Sequence, residues 1–180
     1  MNQLTYISLF SSAGVGCYGF KMEGFDCVAT NELLQKRLDV QKVNHKCKYN
    51  SGYVLGDILL PETKQEILNQ LQLWKEKESL TDLTVLIATP PCQGMSVANH
   101  KKKDESKRNS LVVASLSLIM QIKPRYFVIE NVKAFLNTIC TDIDGNNKKT
   151  KQAILDDLSD FYNIEFNVLN FKNYGANSSR

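Results

Sequence analysis

Apolar positions along the chain gather into short continuous runs separated by amphipathic stretches, and this alternation predicts the elements. Thr5–Leu9 (TYISL), residues 27–30, residues 84–88 (TVLIA) and Tyr126–Ile129 (YFVI) are brief, apolar and flanked by polar or turn-forming residues. Runs of this kind read as buried strands. Val54-Leu55, closed by Gly56-Asp57, and residues 165–169 read as two further strands. Between the strands the apolar spacing changes to three and four. The segment from Pro61 carries Ile67, Leu68, Leu71 and Trp74 on one helical face. Its proline suits a first helical turn, where the missing N–H has no partner to lose. Residues 18–23, 33–44, 111–122 and 152–161 read as the other helices, the last with Ile154, Leu155, Leu158 and Phe161 on its inner face. Residues 142–150, rich in Asp, Asn, Gly and Lys, read as a loop.

Strands alternating with helices predict an α/β fold, a doubly wound, mostly parallel sheet covered on both faces. No repeat and no linker interrupts the pattern, so residues 1–180 are taken as one domain. In such sheets ligands bind beyond the carboxyl ends of the strands. The residues that matter should therefore follow each strand directly.

Composition narrows this picture without redirecting it. Hydrophobic residues make up 43% and charged residues 23% of the chain, with a net charge of +3. The charge permits nucleic-acid binding but does not demand it. Five cysteines are scattered without a C-x-x-C pair, which points to a reducing compartment and away from a disulfide framework or a structural zinc site. The start carries no secretory pattern, and the longest apolar run, residues 111–122, is shorter than the roughly 20 residues that span a bilayer. A cytoplasmic protein with no membrane partner is expected. Asp142-x-Asp144-Gly145 has its glycine at the fourth position and no closing glutamate, so it is not read as a calcium loop, and no metal is expected.

Three segments carry candidate chemistry. Gly14, Gly16 and Gly19 form a G-x-G-x-x-G run between a strand and a helix, and Glu32 ends the next strand. Such glycines allow a tight turn and close approach of a nucleotide-type cofactor, with the strand-end carboxylate on ribose hydroxyls; they equally suit a turn that simply needs glycine. Thr89-Pro90-Pro91-Cys92-Gln93-Gly94-Met95-Ser96 follows the strand at 84–88. A lone cysteine is commonly a buried inert thiol, but the prolines and polar neighbours here are not core residues. Glu130-Asn131-Val132 follows the strand at 126–129, where a carboxylate alone would most simply cap the next helix. A nicotinamide-dependent oxidoreductase would account for the glycines and Glu32 and leave residues 90–93 and 130–132 unexplained.

Taken together these segments resemble the DNA (cytosine-5) methyltransferase family. Phe10 and Gly14 match its first motif, with Ser12 standing where the family has its first glycine. Gly56-Asp57-Ile58 resembles the next cofactor motif, Pro91-Cys92-Gln93 the nucleophile motif, and Glu130-Asn131-Val132 the family's Glu-Asn-Val. Arg108 and Leu111 match a weaker Arg-x-x-Leu motif, and residues 167–180 resemble a later one, with Ser178 in place of its glutamine and Arg180 matching its first arginine.

The resemblance implies a Rossmann-like S-adenosylmethionine-dependent methyltransferase fold, incomplete at the C-terminus. Phe10, Ser12, Ala13, Gly14, Gly16, Glu32, Asp57, Ile58, Pro91 and Leu111 would hold S-adenosyl-L-methionine. Cys92, Glu130 and Arg180 would be catalytic, with Cys92 attacking carbon 6 of a flipped cytosine. Gln93, Ser96, Lys101, Lys102, Lys103 and Arg108 would meet duplex DNA, although a lysine run is as readily a solvated surface loop. The target-recognition domain is not in the sequence. The resemblance thus predicts a truncated product, favoured here, or one subunit whose second chain supplies the remaining motifs, in either case inactive alone. A restriction–modification setting and a nucleoid-associated location follow from the same likeness. A tRNA cytosine methyltransferase and a non-catalytic remnant of the family are the other readings.

Overall fold

Five parallel strands are built from the runs expected to be buried, because in a sheet covered on both faces each residue of an inner strand packs one way or the other. A computed structural model describes residues 3–91, 105–142, 144–175 and 177, and side chains for these except at 105–110. The strands are β1 (Thr5–Leu9), β2 (Asp26–Glu32), β3 (Tyr53–Leu55), β4 (Val85–Ala88) and β5 (Tyr126–Ile129), in the order β3-β2-β1-β4-β5. The order reverses between β1 and β4. Side by side in register stand Leu9, Ala88 and Ile129, and on the other side of β1 Ser8 faces Thr30.

Helices cover the two faces. Ile7, Leu9, Leu86 and Ala88 point to the face packed by α3 (Pro61–Glu78), α4 (Glu105–Ile122) and α5 (Thr150–Leu158), through Ile67, Trp74, Leu116, Ile119, Ile154 and Leu158. Tyr6, Cys27, Val85 and Ile87 point to the other face, beneath Phe20 of α1 (Tyr18–Met22) and Phe25. Here too lies α2 (Gln35–Val43), which buries Leu38 and Gln41. Among the described residues no helix is long and apolar enough to cross a membrane. This is the doubly wound α/β arrangement that the alternation implies.

Four expectations need correction, the first that Tyr126–Ile129 is buried: it forms a strand, but Tyr126 and Val128 are exposed. Residues 165–169 form no strand. The alternation there is real, since Ile164 and Phe166 pack against the core with Tyr162, but the backbone joins no ladder. Tyr162 anchors the segment instead, its hydroxyl donating to the Pro124 carbonyl at 2.7 Å and its ring set edge-on to Phe127. The stretch 142–150 is more than a loop: β6 (Ile139–Thr141) and β7 (Asn147–Lys149) pair antiparallel around it. The polar sequence Asn-Lys-Lys of β7 gives no strand signal. The turn supplies it, because Asp142 Oδ1 accepts the Asn146 N–H at 2.6 Å and Gly145 takes φ 85. Lastly, α5 ends at Leu158, so Phe161 lies beyond the helix and is exposed.

Candidate active site

The carboxyl edge of the sheet is drawn together by hydrogen bonds that continue each ladder one step past the strands. The Ser11 N–H donates to the Asn31 carbonyl at 3.0 Å, Gly56 N–H to Glu32 at 3.1 Å, Thr89 N–H to Leu9 at 3.3 Å and Glu130 N–H to Ala88 at 3.0 Å. Every strand of the sheet therefore delivers its first loop residues to one rim. The Phe10–Gly16 turn, Glu32, Gly56-Asp57-Ile58, Thr89-Pro90-Pro91 and Glu130-Asn131 all stand there. The turn after β1 and the prolines after β4 flank the place where the strand order reverses, which is where open α/β sheets bind ligands.

Local chemistry sets the shape of the first turn. Phe10 (φ 57), Ser12 (φ 49) and Gly14 (φ 88) all take left-handed backbone, a conformation that only glycine adopts without strain. At Gly14 a Cβ would also meet Gln41 Cγ at 3.1 Å. The turn is held from below by Gln41, whose Nε2 donates to Ser11 Oγ at 2.9 Å and to the Ser12 carbonyl at 2.5 Å. Gln41 Oε1 in turn accepts the Thr30 hydroxyl at 2.8 Å. Sequence reasoning passed over Gln41. The available signal is its place three residues after Leu38, on the face that α2 buries.

Glu32 joins this turn to the next. Its Oε2 accepts the Ser12 N–H at 2.8 Å, and its Oε1 accepts the N–H groups of Leu33 and Leu34 at 3.0 and 3.1 Å. Arg37 approaches the same oxygen at 3.3 Å. Four donors thus meet the roughly four acceptor positions of a carboxylate, three of them converging on Oε1 and leaving Oε2 with the Ser12 N–H alone. Asp57 Oδ1 accepts the Leu59 N–H at 3.0 Å in a local turn. Ile58 is only 2% exposed and packs in the core with Ile67. Asn31 Nδ2 donates to the carbonyls of Val54 and Gly56 at 3.3 and 3.1 Å and fixes the Asp57 loop to β2.

On the other side of the reversal, Thr89 Oγ1 donates to the Phe10 carbonyl at 3.1 Å. Asn131 Nδ2 donates to the Pro90 carbonyl at 2.8 Å, while its Oδ1 accepts the Val132 N–H at 2.8 Å. The loop after β5 thus clamps the proline pair. Pro90 is buried, Pro91 is exposed, and Glu130 is exposed beside them. Ala13 and Gly14 are half-buried, Gly16 is exposed, and Leu111 sits half-buried against the core. Cys92, Gln93, Ser96, Lys101, Lys102, Lys103 and Arg180 lie outside the described residues, and Arg108 is described only as part of α4. Asp142 is taken up by the hairpin and by Lys148 at 2.6 Å.

Comparisons with known proteins agree on one family. The family model described as C-5 cytosine-specific DNA methylase matches residues 4–180. The Type II methyltransferase M1.HgaI of Avibacterium volantium is 38% identical over 97% of this chain, which spans 47% of that protein. M.AquIA of a Picosynechococcus strain is 27% identical over 94% of the chain, which spans 66% of it. Among solved structures, a prophage-encoded E. coli protein described as a DNA modification methyltransferase superposes with a TM-score of 0.57 at 20% identity, over 89% of this chain and 39% of that one. The chain spans about half the length of M1.HgaI and less of that solved structure.

Proposed function

Because the chain belongs to the C-5 cytosine-specific DNA methylase family, we propose that it forms the cofactor-binding and nucleophile-bearing part of a DNA (cytosine-5-)-methyltransferase of restriction–modification type. One observation carries this reading: a single rim of the sheet unites the Phe10–Gly16 turn, Glu32 and Asp57 with the Thr89–Pro91 and Glu130-Asn131 segments, across the point where strand order reverses.

S-adenosyl-L-methionine, when bound, supplies an electrophilic methyl group. The residues fit it on the chemistry of the rim. Glu32 would take the ribose hydroxyls, Asp57 the adenine amino group, and Phe10 would pack near the ring. The left-handed backbone from Phe10 to Gly14 would let the main chain approach the ligand closely.

Cytosine carbon 5 is a poor nucleophile. The Cys92 thiolate would form a bond to carbon 6 and make carbon 5 reactive as an enamine. Only a few per cent of an ordinary thiol is ionised near pH 7, but cysteine is intrinsically very nucleophilic. Glu130, at the end of the neighbouring strand, would hold the cytosine amino group and give a proton to N3. A stacked base is out of reach of this thiol, so the cytosine would be flipped out of duplex DNA. Gln93, Ser96, Lys101, Lys102, Lys103 and Arg108 would contact the DNA, the basic residues through its phosphates. Arg180 would join the catalytic residues as the first arginine of the later motif. Target recognition would come from further parts of the enzyme, in the same chain or a second one.

Calorimetry with S-adenosylmethionine and with NAD tests the reading. Saturable heat with the sulfonium cofactor and none with NAD is expected. Selective binding of NAD would overturn it in favour of a nicotinamide enzyme. For the nucleophile, duplex DNA carrying 5-fluorocytosine blocks the last elimination and should leave the whole enzyme bonded through Cys92. Trapping by Cys92→Ser equal to the parent would rule that role out.

A further inference from the structure

Beneath the face that carries α1 and α2, two cysteines from separate segments meet. The Sγ of Cys47 donates to the Sγ of Cys27 at 3.5 Å. The two residues form an isolated parallel bridge, Cys27 on β2 and Cys47 in the segment after α2. Paired strands lie about 4.8 Å apart, within the roughly 4.4–6.8 Å between Cα atoms that a disulfide spans. Both positions are fixed. The Cys47 N–H donates to the Tyr53 hydroxyl at 2.9 Å, and the Cys27 thiol also reaches the Ala29 carbonyl at 3.4 Å. Cys27 is buried and Cys47 half-buried.

We propose that Cys27 and Cys47 are a modification site, a dithiol that hydrogen peroxide converts to a reversible disulfide. The charge balance around the pair favours the first proton leaving. Burial opposes ionisation of Cys27, but the thiol of Cys47 donating to it and the ammonium of Lys46 nearby bring its pKa below the ordinary thiol value. The second proton is held, and the Cys47 value is raised, by that same shared hydrogen bond and by burial. Cys47 keeps its proton and donates it to Cys27, which makes Cys27 the attacking thiolate and Cys47 the resolving thiol. One thiolate attacks a peroxide oxygen, breaks the O–O bond and becomes a sulfenic acid, with hydroxide leaving and taking up the released proton as water. The second thiol then attacks the sulfenic sulfur, forms the S–S bond and expels water. Two thiols and one peroxide thus become one disulfide and two waters, and a dithiol reductant reverses the change.

Closure would staple the segment after α2 to β2 below the Ser11–Gly14 turn. Lys46, next to Cys47, donates to the Thr30 hydroxyl at 2.9 Å, and Thr30 donates to Gln41, which floors that turn. The other described cysteines are placed differently: Cys17 shares a 2.9 Å contact with the Ser8 hydroxyl, and Cys140 lies in β6.

The test needs no variant. The purified reduced chain is treated with peroxide, quenched, alkylated in denaturant and mapped by mass spectrometry with and without reductant. The expected product joins the Cys27 and Cys47 peptides, is two hydrogens lighter than the separate pair, and is released by dithiothreitol, while Cys17 and Cys140 are alkylated. A chain oxidised in urea should lose this selectivity. Recovery of both Cys27 and Cys47 as alkylated thiols would overturn the proposal. So would their separate conversion to sulfinic acids, or a link from Cys27 to Cys17.

Discussion

Ser12 stands at a backbone position with φ 49, where an L side chain crowds its own carbonyl and glycine does not. Replacing it with glycine removes that strain but gives the unfolded chain more freedom, and the two effects oppose each other. Ser12→Gly is expected to leave stability unchanged or raise it by up to about 1 kcal/mol, read from the urea midpoint at constant slope. Gln41 works in the opposite sense. It is 1% exposed and serves Ser11, Ser12 and Thr30 at once. Gln41→Leu removes the partner of the Ser12 carbonyl and the acceptor of the Thr30 hydroxyl, while Ser11 Oγ keeps the Asn31 carbonyl and Thr30 keeps Lys46; a buried group left without a partner costs about 1–3 kcal/mol. A loss of at least about 1 kcal/mol is expected in denaturation, together with weaker S-adenosylmethionine binding by calorimetry as the turn loosens. The two residues mark what was legible. The glycine pattern located the turn, because it is local in sequence. Neither the strain at Ser12 nor the role of Gln41 is local. Both arise from β2 and α2 meeting the turn from some 20 to 30 residues away.

At the scale of elements, continuous apolar runs were the most faithful signal: β1 and β5 begin and end where their sequences indicate. Elements whose stability comes from polar contacts were not legible. The β6–β7 hairpin is one. Lys148 of β7 meets Asp142 Oδ2 at 2.6 Å and Asp156 Oδ2 of α5 at 2.8 Å. The Lys148 ammonium holds the carboxyl pKa values of both aspartates below the ordinary range, against the opposing effect of burial at Asp142. Their contribution is therefore fully present above the unfolded value of about 3.9 and fades as pH falls through the lower folded values. Asp142→Asn should melt at a lower temperature than the parent at pH 7. The gap should close as acid protonates Asp142 in the parent, followed by circular dichroism from pH 7 to pH 2. A gap that persists at pH 2 would place the effect in packing rather than charge. The absent strand at 165–169 has the complementary cause. Half-buried alternation can be met by side-chain packing alone, as Tyr162, Ile164 and Phe166 do, and β-propensity reports fit to a half-buried surface rather than hydrogen bonding.

At the scale of the whole molecule, the described residues cover the two faces of the sheet unequally. On one, α3, α4 and α5 close over Leu86, which is fully buried. On the other, α1 and α2 protect β1 and β2, but the same face of β5 leaves Tyr126 65% and Val128 42% exposed. The register places these beside Val85 and Ile87, so the apolar surface runs continuously out from the buried strip. Sequence alone could not show this, since YFVI reads as buried on both sides and its cover depends on what packs there. The inequality has a measurable consequence. Leu86→Ala should cost about 2–5 kcal/mol, the usual range for a cavity in a closed core. Val128→Lys, with its side chain directed to solvent, should change stability by no more than about 0.5 kcal/mol. Both follow from denaturant unfolding at a fixed, low concentration. If Val128→Lys instead destabilised the chain as strongly as Leu86→Ala, this face would have to be covered in solution. The parent would then show a concentration-dependent midpoint, because a partner that binds only the folded state stabilises it by mass action. An equal midpoint at widely separated concentrations, with a near-neutral Val128→Lys, is the expected result for a face that is open in the isolated chain.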